Sequence, residues 1–344
     1  MQLPDLIESE AQLDELLTTP SPALVESFKS LADPLLILGA GGKMGPTLAV
    51  LAARAAAQAQ STVRVIAASR FSDTSSREYL QQRGVQTLVA DVFDRQQLQR
   101  LPDSPNVVYL VGMKFGTNSD PLPTWATNTV APVHVCERFH QAKMVALSTG
   151  NIYPLTAIDQ AGSLESDPLT PLGEYPSAAV ARERVFQYYA RHNAAPTAMM
   201  RLNYAHDLRY GVLTELAQRV WADEPIDLTM GYFNAIWQGD ANDMILRSFE
   251  HCQSPAQAIN LTSREVYSVR AVASRLGELL DRQPQFRNSE APTALLSNTQ
   301  RMIQLLGEPR VGLDRMLQWI AHWTRIGGVT LGKPTHFATR DGKF

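Results

Sequence analysis

The chain has few cysteines and no long apolar run. Only Cys136 and Cys252 occur in its 344 residues, far apart and outside any Cys-x-x-Cys pair. A disulfide framework or a cysteine-based zinc site is therefore not expected, and the seven histidines show no metal-ligand spacing. No apolar stretch reaches the roughly 18 residues that a membrane-spanning helix requires. These absences predict a reduced protein without a metal centre and without a membrane segment.

Positive charge is also scarce. The formal net charge is −3, only six of the basic residues are lysines, and the sequence has no basic run. This balance argues against a nucleic-acid partner. The first residues, "MQLPDLIESE", are acidic and lack the basic and apolar regions of a signal peptide. We therefore expect a cytoplasmic location.

Short apolar runs alternate with helical stretches over the first two thirds of the chain. The helical stretches are predicted at residues 46–60, 75–84, 94–101 and 124–141, and another begins near Tyr175. The runs predicted as strands are residues 35–40, 62–69, 85–90, 106–112, 144–149 and 197–203. This alternation predicts an α/β fold of the Rossmann type, with a doubly wound parallel sheet.

The remaining segments suggest additions to that sheet. Residues 1–33 are expected to form an N-terminal helical extension on the outside of the main domain, with Ser21 as an N-cap and Pro22 at the first helical position. The sheet domain is placed at residues 34–204. Residues 205–330 are expected to form mainly a smaller substrate lobe, with one strand returning to the sheet.

A glycine-rich tail, "GGVTLGKPTHFATRDGKF", ends the chain, and we count residues 331–344 as a separate segment. It could fold over the cleft of the protein, pack on a neighbouring subunit or be disordered. The sequence leaves these three alternatives open.

A glycine loop, "ILGAGGKMG", joins the first predicted strand to the first long helix. Gly39, Gly42 and Gly45 permit a tight turn, a close approach of the backbone to a pyrophosphate, and packing of the helix on the strand. The phosphates would meet free N–H groups at the helix N-terminus. We therefore predict dinucleotide binding, with Met44 in the same loop and Lys43 facing the pyrophosphate.

The end of the second predicted strand bears on the choice of cofactor. An NAD site usually places Asp or Glu there to bind the ribose 2′-hydroxyl. This chain has Ser69 and Arg70 instead, and a hydroxyl and a guanidinium suit a 2′-phosphate. The sequence favours NADP over NAD; in the alternative, Arg70 is an ordinary surface cation.

With the glycine loop, "NVVYLVG" and "LSTGNIY", residues 35 to about 325 resemble the extended short-chain dehydrogenase/reductase superfamily, and within it the NAD-dependent epimerase/dehydratase family. The resemblance implies that Asp91 and Val92 hold the adenine. It also makes Thr149 the catalytic hydroxyl residue and Tyr175 the catalytic tyrosine.

The resemblance extends to further positions. Asn128 matches the family's structural asparagine and Glu183 a glutamate eight residues past the tyrosine. Loops at the carboxyl ends of parallel strands line the cofactor crevice. We therefore expect Val111, Gly112 and Met113 to contact the cofactor.

The chain departs from the family at the catalytic helix. The family motif is Tyr-x-x-x-Lys, but here Ala179 follows Tyr175 by four residues. A phenol without a neighbouring cation has a pKa near ~10 and is a poor base at neutral pH. Lys114, in the loop after the fourth predicted strand, is our candidate for the missing cation, with Arg182 as a weaker one. Lys114 could equally be a solvated loop residue.

The sixth predicted strand, "RLNYAHD", also departs from the family. Many of its nucleotide-sugar enzymes carry Arg-x-x-Asn there, whereas this chain has Tyr204 three residues after Arg201. We therefore expect a simpler sugar, polyol or sugar-acid carbonyl as the substrate. His206 with Asp207 is expected to be a loop pair at the surface.

Two functions follow from these residues. The first is an NAD(P)-dependent oxidoreductase or epimerase/dehydratase-type enzyme acting on a small carbohydrate-like compound. The second is a dinucleotide-binding sensor or partner subunit that has lost catalysis. The resemblance also implies a homodimer, built from the helix at 124–141 and the Tyr175 helix.

Overall fold

A computed structural model describes residues 3–343, so residues 1 and 2 of the predicted extension and residue 344 of the predicted tail lie outside the described part. Its centre is a parallel seven-stranded sheet in the order β7-β6-β5-β4-β1-β2-β3. The strands are Leu35–Leu38 (β1), Val65–Ser69 (β2), Gln86–Val89 (β3), Asn106–Tyr109 (β4), Lys143–Thr149 (β5), Thr197–Leu202 (β6) and Gln257–Leu261 (β7).

Twelve helices of the described chain connect and cover these strands. They are Glu10–Leu17 (α1), Pro22–Phe28 (α2), Gly45–Gln58 (α3), Thr74–Gln82 (α4), Arg95–Arg100 (α5), Leu122–Arg138 (α6), Glu174–His192 (α7), Val212–Trp221 (α8), Gln238–Arg247 (α9), Val269–Leu280 (α10), Gln300–Leu306 (α11) and Leu313–Arg325 (α12). None of them combines the length and the apolar character needed to cross a bilayer.

Both faces of the sheet are covered, which explains why its strands are almost continuously apolar. Side chains alternate along β1, so that Leu35 and Ile37 pack on the face covered by α2, α3 and α9. Leu36 and Leu38 pack on the opposite face, under α6 and α7. The predicted doubly wound α/β fold is confirmed.

A second apolar core lies in the C-terminal half, where α8, α10 and α12 pack on one another. The C-terminal lobe also contains four pairs of two-residue strands, at 156–157 with 293–294, 205–206 with 236–237, 226–227 with 286–287, and 232–233 with 267–268. Phe337 of the tail is buried in the same core. Thus part of the tail is an ordered element of this lobe.

The N-terminal helices divide between the two cores. Ser21 caps α2 by accepting a hydrogen bond from the Leu24 amide at 3.0 Å, and it also donates to the Asp243 carboxylate on α9. Leu24 packs in the core beside the sheet. In contrast, Leu13 and Leu17 of α1 are buried in the core of the C-terminal lobe. Helix α1 also contacts α3 of the main domain, where Glu15 pairs with Arg54. It therefore lies between the main domain and the C-terminal lobe.

Candidate active site

A cleft of about 350 Å³ opens at the carboxyl ends of β1 and β4. The strand order reverses between these two strands, which is where ligands bind in open α/β sheets. It is walled by the glycine loop, the loop after β4, the start of α7, the segment after β6 and one residue of the tail. The lining residues are Gly39, Gly42, Lys43, Met44, Gly45, Leu110, Gly112, Lys114, Phe115, Leu147, Tyr175, Leu202, Tyr204, Ala205, Tyr210, Gly211, Val212 and Thr335.

The glycine loop is shaped by the absence of side chains. Gly39 has φ +82°, and a Cβ there would lie 2.9 Å from Val111 Cγ2. A Cβ on Gly45 would lie 2.5 Å from the Ala40 carbonyl oxygen. Both positions therefore require glycine, the first for its backbone angle and both for close packing.

The glycine loop contains backbone amides that have no backbone acceptor. Within residues 3–343, the amides of Lys43 and Met44 donate to no backbone carbonyl, and the N-terminus of α3 has no side-chain cap. A helix N-terminus with unsatisfied N–H groups attracts phosphate. The cradle therefore fits the diphosphate of a dinucleotide.

Lys43 reaches across the cleft. The residue as a whole is exposed, yet its Nζ donates to the Ala205 carbonyl at 3.3 Å and lies 3.8 Å from the ring centroid of Tyr210. Desolvation there lowers the pKa of Lys43 to about 8. The ammonium thus joins the glycine loop to the segment after β6, and a contact with the pyrophosphate stays a prediction.

Tyr175 and Lys114 meet in this cleft. Tyr175 is the second residue of α7 and is 8% exposed. The Nζ of Lys114 lies 5.9 Å from the centroid of its ring. Desolvation lowers the pKa of Lys114 to about 8. The structure therefore brings the predicted substitute cation beside the predicted catalytic phenol.

The usual lysine position is closed. Ala179 is fully buried, in a small apolar cluster with Ile152 and Tyr153. A lysine there would have to displace this packing. The chain therefore has a packed alanine at this position, and the cation beside Tyr175 comes from a different element.

The loop that carries Lys114 is held from below. Asn128 of α6 donates to the Met113 carbonyl at 3.1 Å, and its own carbonyl accepts from Arg182 at 2.9 Å. Arg182 also donates to the Val111 carbonyl at 3.4 Å. A Cβ on Gly112 would lie 2.5 Å from this guanidinium. Arg182 therefore supports the loop from beneath, and a role beside Tyr175 is left to Lys114.

Thr149 ends β5 but is not part of the cleft lining. Its hydroxyl accepts from the Asn151 backbone amide at 3.2 Å and from the Asn151 side-chain amide at 3.0 Å. These contacts cap the short 3-10 turn that follows the strand. The catalytic role implied by the resemblance stays a prediction.

The remaining predicted cofactor residues lie along the same edge of the sheet. A Cβ on Gly41 would lie 2.9 Å from the Ser69 hydroxyl, while Arg70 is exposed. Asp91 accepts from the Phe93 amide at 2.9 Å, and Val92 is buried. Their contacts with a cofactor also stay predictions.

A buried ionic network beneath the cleft was missed in the sequence. Both side-chain oxygens of Glu183 accept from Arg201, at 3.0 and 2.7 Å, and Ser148 donates to the same carboxylate. Arg201 also donates to the Tyr153 hydroxyl at 2.6 Å, which in turn donates to Asn260. The pair ties α7 to β6 and so fixes the helix that begins beside Tyr175. Glu183 was noted, but nothing in the sequence indicates its partner.

The segment after β6 differs from its prediction. His206 and Asp207 are buried, at 0% and 3% exposed, so the expectation of a surface pair is wrong. Both ring nitrogens of His206 lack a hydrogen-bond partner within the described residues, and burial lowers its pKa to about 3. Tyr204 and Tyr210, which were not proposed as site residues, line the cleft instead. Within residues 3–343, no cluster of three or more potential metal ligands occurs.

Comparison with known proteins gives one family and many similar structures. A model described as the NAD dependent epimerase/dehydratase family matches residues 35–207, just over half of the chain. No curated protein sequence matches significantly. An epimerase from Methanothermobacter thermautotrophicus has a TM-score of 0.72 at 17% identity, over 88% of this chain and 96% of that one.

Two structures with bound ligands are also similar. dTDP-glucose 4,6-dehydratase from Bacillus anthracis, in complex with NAD, has a TM-score of 0.70 at 14% identity, over 86% of this chain and 97% of that one. UDP-glucuronic acid 4-epimerase from Bacillus cereus, in complex with UDP-glucuronic acid and NAD, has a TM-score of 0.70 at 16% identity, over 85% of this chain and 99% of that one. At such identities the likeness establishes the shared fold.

Proposed function

Because the chain belongs to the NAD dependent epimerase/dehydratase family, we propose that it moves hydride between a nicotinamide dinucleotide and a small sugar, polyol or sugar-acid compound. The predicted family and the predicted class of enzyme are confirmed. The observation that carries this proposal is the position of the Lys114 ammonium, 5.9 Å from the ring centroid of Tyr175 and in the cleft of the glycine loop.

The proposed roles follow from the geometry. The glycine loop would hold the dinucleotide by its diphosphate, and the cofactor when bound supplies the hydride chemistry. Tyr175 would hold or release a proton at its phenolic oxygen, next to the reacting hydroxyl or carbonyl of the substrate. Lys114 would supply, from the loop after β4, the positive charge beside the Tyr175 ring. Tyr204 and Tyr210 would exclude water from the wall opposite.

We further propose NADP as the preferred cofactor. Ser69 presents its hydroxyl towards Gly41 in the glycine loop, and Arg70 is an exposed cation at the end of the same strand. The nearest acid downstream, Asp73, is occupied as the N-cap of α4, where it accepts from Ser75. A 2′-phosphate would therefore meet a hydroxyl and a guanidinium rather than a free carboxylate.

A homodimer is proposed on the same basis. Helices α6 and α7 pack side by side and expose Leu122, Val130 and Tyr188, which are 74%, 42% and 59% exposed. A symmetric pairing of these helices would cover such apolar side chains. Light scattering coupled to size exclusion would give twice the monomer mass; a monomer at every concentration would contradict the proposal.

The main test uses Tyr175→Phe and Lys114→Met. We expect each variant to keep dinucleotide binding, as measured by nicotinamide fluorescence. Turnover should fall about 100-fold or more, since each change removes a group that takes part in the proposed proton transfer to or from the substrate. The assay would survey free sugars, polyols, sugar acids and nucleotide sugars. Full activity in both variants would refute the assignment.

The filled position at Ala179 favours one second function, a dinucleotide-binding protein without turnover. It predicts tight binding of NADPH or NADH by the wild-type protein and no hydride transfer with any compound surveyed. Hydride transfer with any one of them would exclude it.

A further inference from the structure

The tail crosses the front of the proposed reaction centre. We call residues 335–342 the C-terminal strap. Its Thr335 lines the cleft, and the ring of His336 lies 5.7 Å from that of Phe115, the neighbour of Lys114. At its other end, Gly342 contacts Leu172 and Gly173, just before Tyr175. The strap therefore passes from one side of the Lys114–Tyr175 pair to the other.

The strap is fastened to the C-terminal lobe. Thr335 donates to the Glu215 carboxylate through its amide, at 3.1 Å, and through its hydroxyl, at 2.6 Å. Phe337 is 4% exposed in the core of that lobe. Arg340 donates to the carbonyl and the hydroxyl of Thr293, both at 2.6 Å. Arg340 also donates to the Thr229 carbonyl at 3.3 Å. A buried aromatic side chain and these five hydrogen bonds hold the strap in place.

Its contacts with the sheet domain are of a different kind. They include the ring contact between His336 and Phe115 and the close packing of Gly342 on Leu172 and Gly173. No hydrogen bond joins the described part of the strap to Phe115, Leu172 or Gly173. The strap is therefore a fixed part of the lobe that rests against the sheet domain.

A second cavity, of about 250 Å³, lies beneath the strap. Asn151, Tyr153 and Pro176 line the side that belongs to the sheet domain, and Thr339 and Arg340 line the side of the strap. Pro176 follows Tyr175 directly, and Asn151 holds the hydroxyl of Thr149. The cavity thus adjoins the two side chains that the family resemblance makes catalytic.

The cavity beneath the strap is small. Pockets that hold drug-sized ligands usually measure about 300–1,000 Å³, and this one is smaller. We propose that the substrate occupies this cavity, beside the cleft that holds Tyr175, and that the C-terminal strap, as one of its walls, admits a compound of monosaccharide size and excludes a nucleotide sugar. This inference rests on the proposed function, and it assigns the substrate class of that same site.

The first test asks whether the strap screens Lys114 by size. Purified protein would be treated with a bulky amine reagent, sulfosuccinimidyl-biotin, or with a small one, formaldehyde plus cyanoborohydride. Mass spectrometry would follow modification of Lys114, with exposed Lys333 as the internal reference. We expect Lys114 to react readily with the small reagent only.

Releasing the strap should remove this difference. In the double variant Thr335→Val/Arg340→Met, the hydrogen bonds of the Thr335 hydroxyl and of the Arg340 guanidinium are lost, while that of the Thr335 amide is kept. The bulky reagent should then modify Lys114 about tenfold faster or more. Thr330→Val, the same chemical change upstream of the strap, is the matched control and should behave as the wild type. Equal rates with the bulky reagent in the wild type and the double variant would overturn the proposal.

A second measurement needs no variant. Calorimetry would compare UDP-glucose with glucose and glucuronate, each added to the wild-type protein saturated with dinucleotide. Binding of UDP-glucose would overturn the size limit even if the double variant failed to fold. If no dinucleotide binds, the proposed function fails, whereas the labelling of Lys114 still reports on the strap.

Discussion

The two halves of the cleft have changed to different degrees. The glycine-loop half keeps the pattern of its family, with Gly39 and Gly45 at positions where a side chain would collide with backbone. The Tyr175 half has a packed alanine, Ala179, where the predicted resemblance would place a lysine. A cation is nevertheless present, on the loop after β4. The difference teaches that a binding loop made of backbone cannot easily be rebuilt, whereas a positive charge can be supplied from another element.

The two cleft lysines show the same contrast. Desolvation lowers the pKa of both Lys43 and Lys114 to about 8. Lys43, however, feels the opposing charge of Asp207 and has the Ala205 carbonyl as an acceptor. Lys114 lies beside two aromatic rings, those of Phe115 and Tyr175. In the proposed function, Lys43 holds the two sides of the cleft together and Lys114 takes part in the reaction.

The largest effect is expected where the Tyr175 half is anchored. Arg201→Met would leave the Glu183 carboxylate buried without its cation, which typically costs about 3–5 kcal/mol in the free energy of unfolding. Urea denaturation followed by circular dichroism would measure the loss. The matched control, Arg247→Met, removes a longer ion pair of 3.7 Å to Asp243 and should cost clearly less. Equal losses in the two variants would contradict the importance of the buried pair.

Replacing each of the two lysines by methionine would sharpen the comparison. Lys114→Met should lower turnover by about 100-fold with little change in the dissociation constant of the dinucleotide, because it removes the charge that assists the proposed proton transfer at Tyr175. Lys43→Met should instead weaken dinucleotide binding, with turnover at saturation less affected. Steady-state kinetics and fluorescence titration separate the two. Identical profiles for both variants would erase the distinction.

The pH dependence of turnover should be set by the ionisation of Lys114. Its pKa of about 8 means that its charge is lost as the pH rises through 8, so turnover should fall there. Lys114→Arg, which stays charged, should move this fall to higher pH. A fall that is unchanged in Lys114→Arg would assign the titration to another group.

Stability should show the opposite trend for the same lysine. Its pKa is depressed from the ordinary 10.5 in the folded state, so the unfolded chain binds more protons between about pH 8 and 10.5. The free energy of unfolding should therefore rise with pH across this window. The rise should be smaller in Lys114→Met, as measured by denaturation at each pH. An equally steep rise in that variant would exclude the contribution of Lys114.

The smallest effect concerns the outer end of the glycine-loop half. Arg70→Ala should weaken NADPH binding by about tenfold, since one charge-assisted hydrogen bond to a phosphate is lost. NADH, which lacks the 2′-phosphate, should bind as before. Glu78→Ala on the adjoining helix α4 serves as a control for general changes in charge. Equal weakening of NADH would show that Arg70 does not read the phosphate.

Much of the fold could be predicted from local patterns. The strand alternation, the glycine loop and the cap at Ser21 are all encoded within a few residues, and each is found in the structure. The predicted strand at 106–112 ends at Tyr109, because the following residues leave the sheet and form the wall of the cleft.

Contacts between distant residues could not be predicted. The Glu183–Arg201 pair, the burial of His206 and the path of the tail each depend on segments that meet only in the folded chain. Lys114 is the exception, because its place in a loop at the carboxyl end of a strand already indicated the cleft. Its closeness to Tyr175 is a result of the structure.

Strand β7 has a consequence for the order of synthesis. It pairs with the outer edge of β6, whose other edge pairs with β5. However, β7 is formed by Gln257–Leu261, which are synthesised after α8 and α9. On the ribosome, the outer edge of β6 therefore stays open while the intervening segment emerges, and an open edge is a template for pairing with other chains. A nascent chain stopped near residue 207 would present that edge permanently. Chaperone capture is thus expected to be strongest for translation intermediates between these two strands.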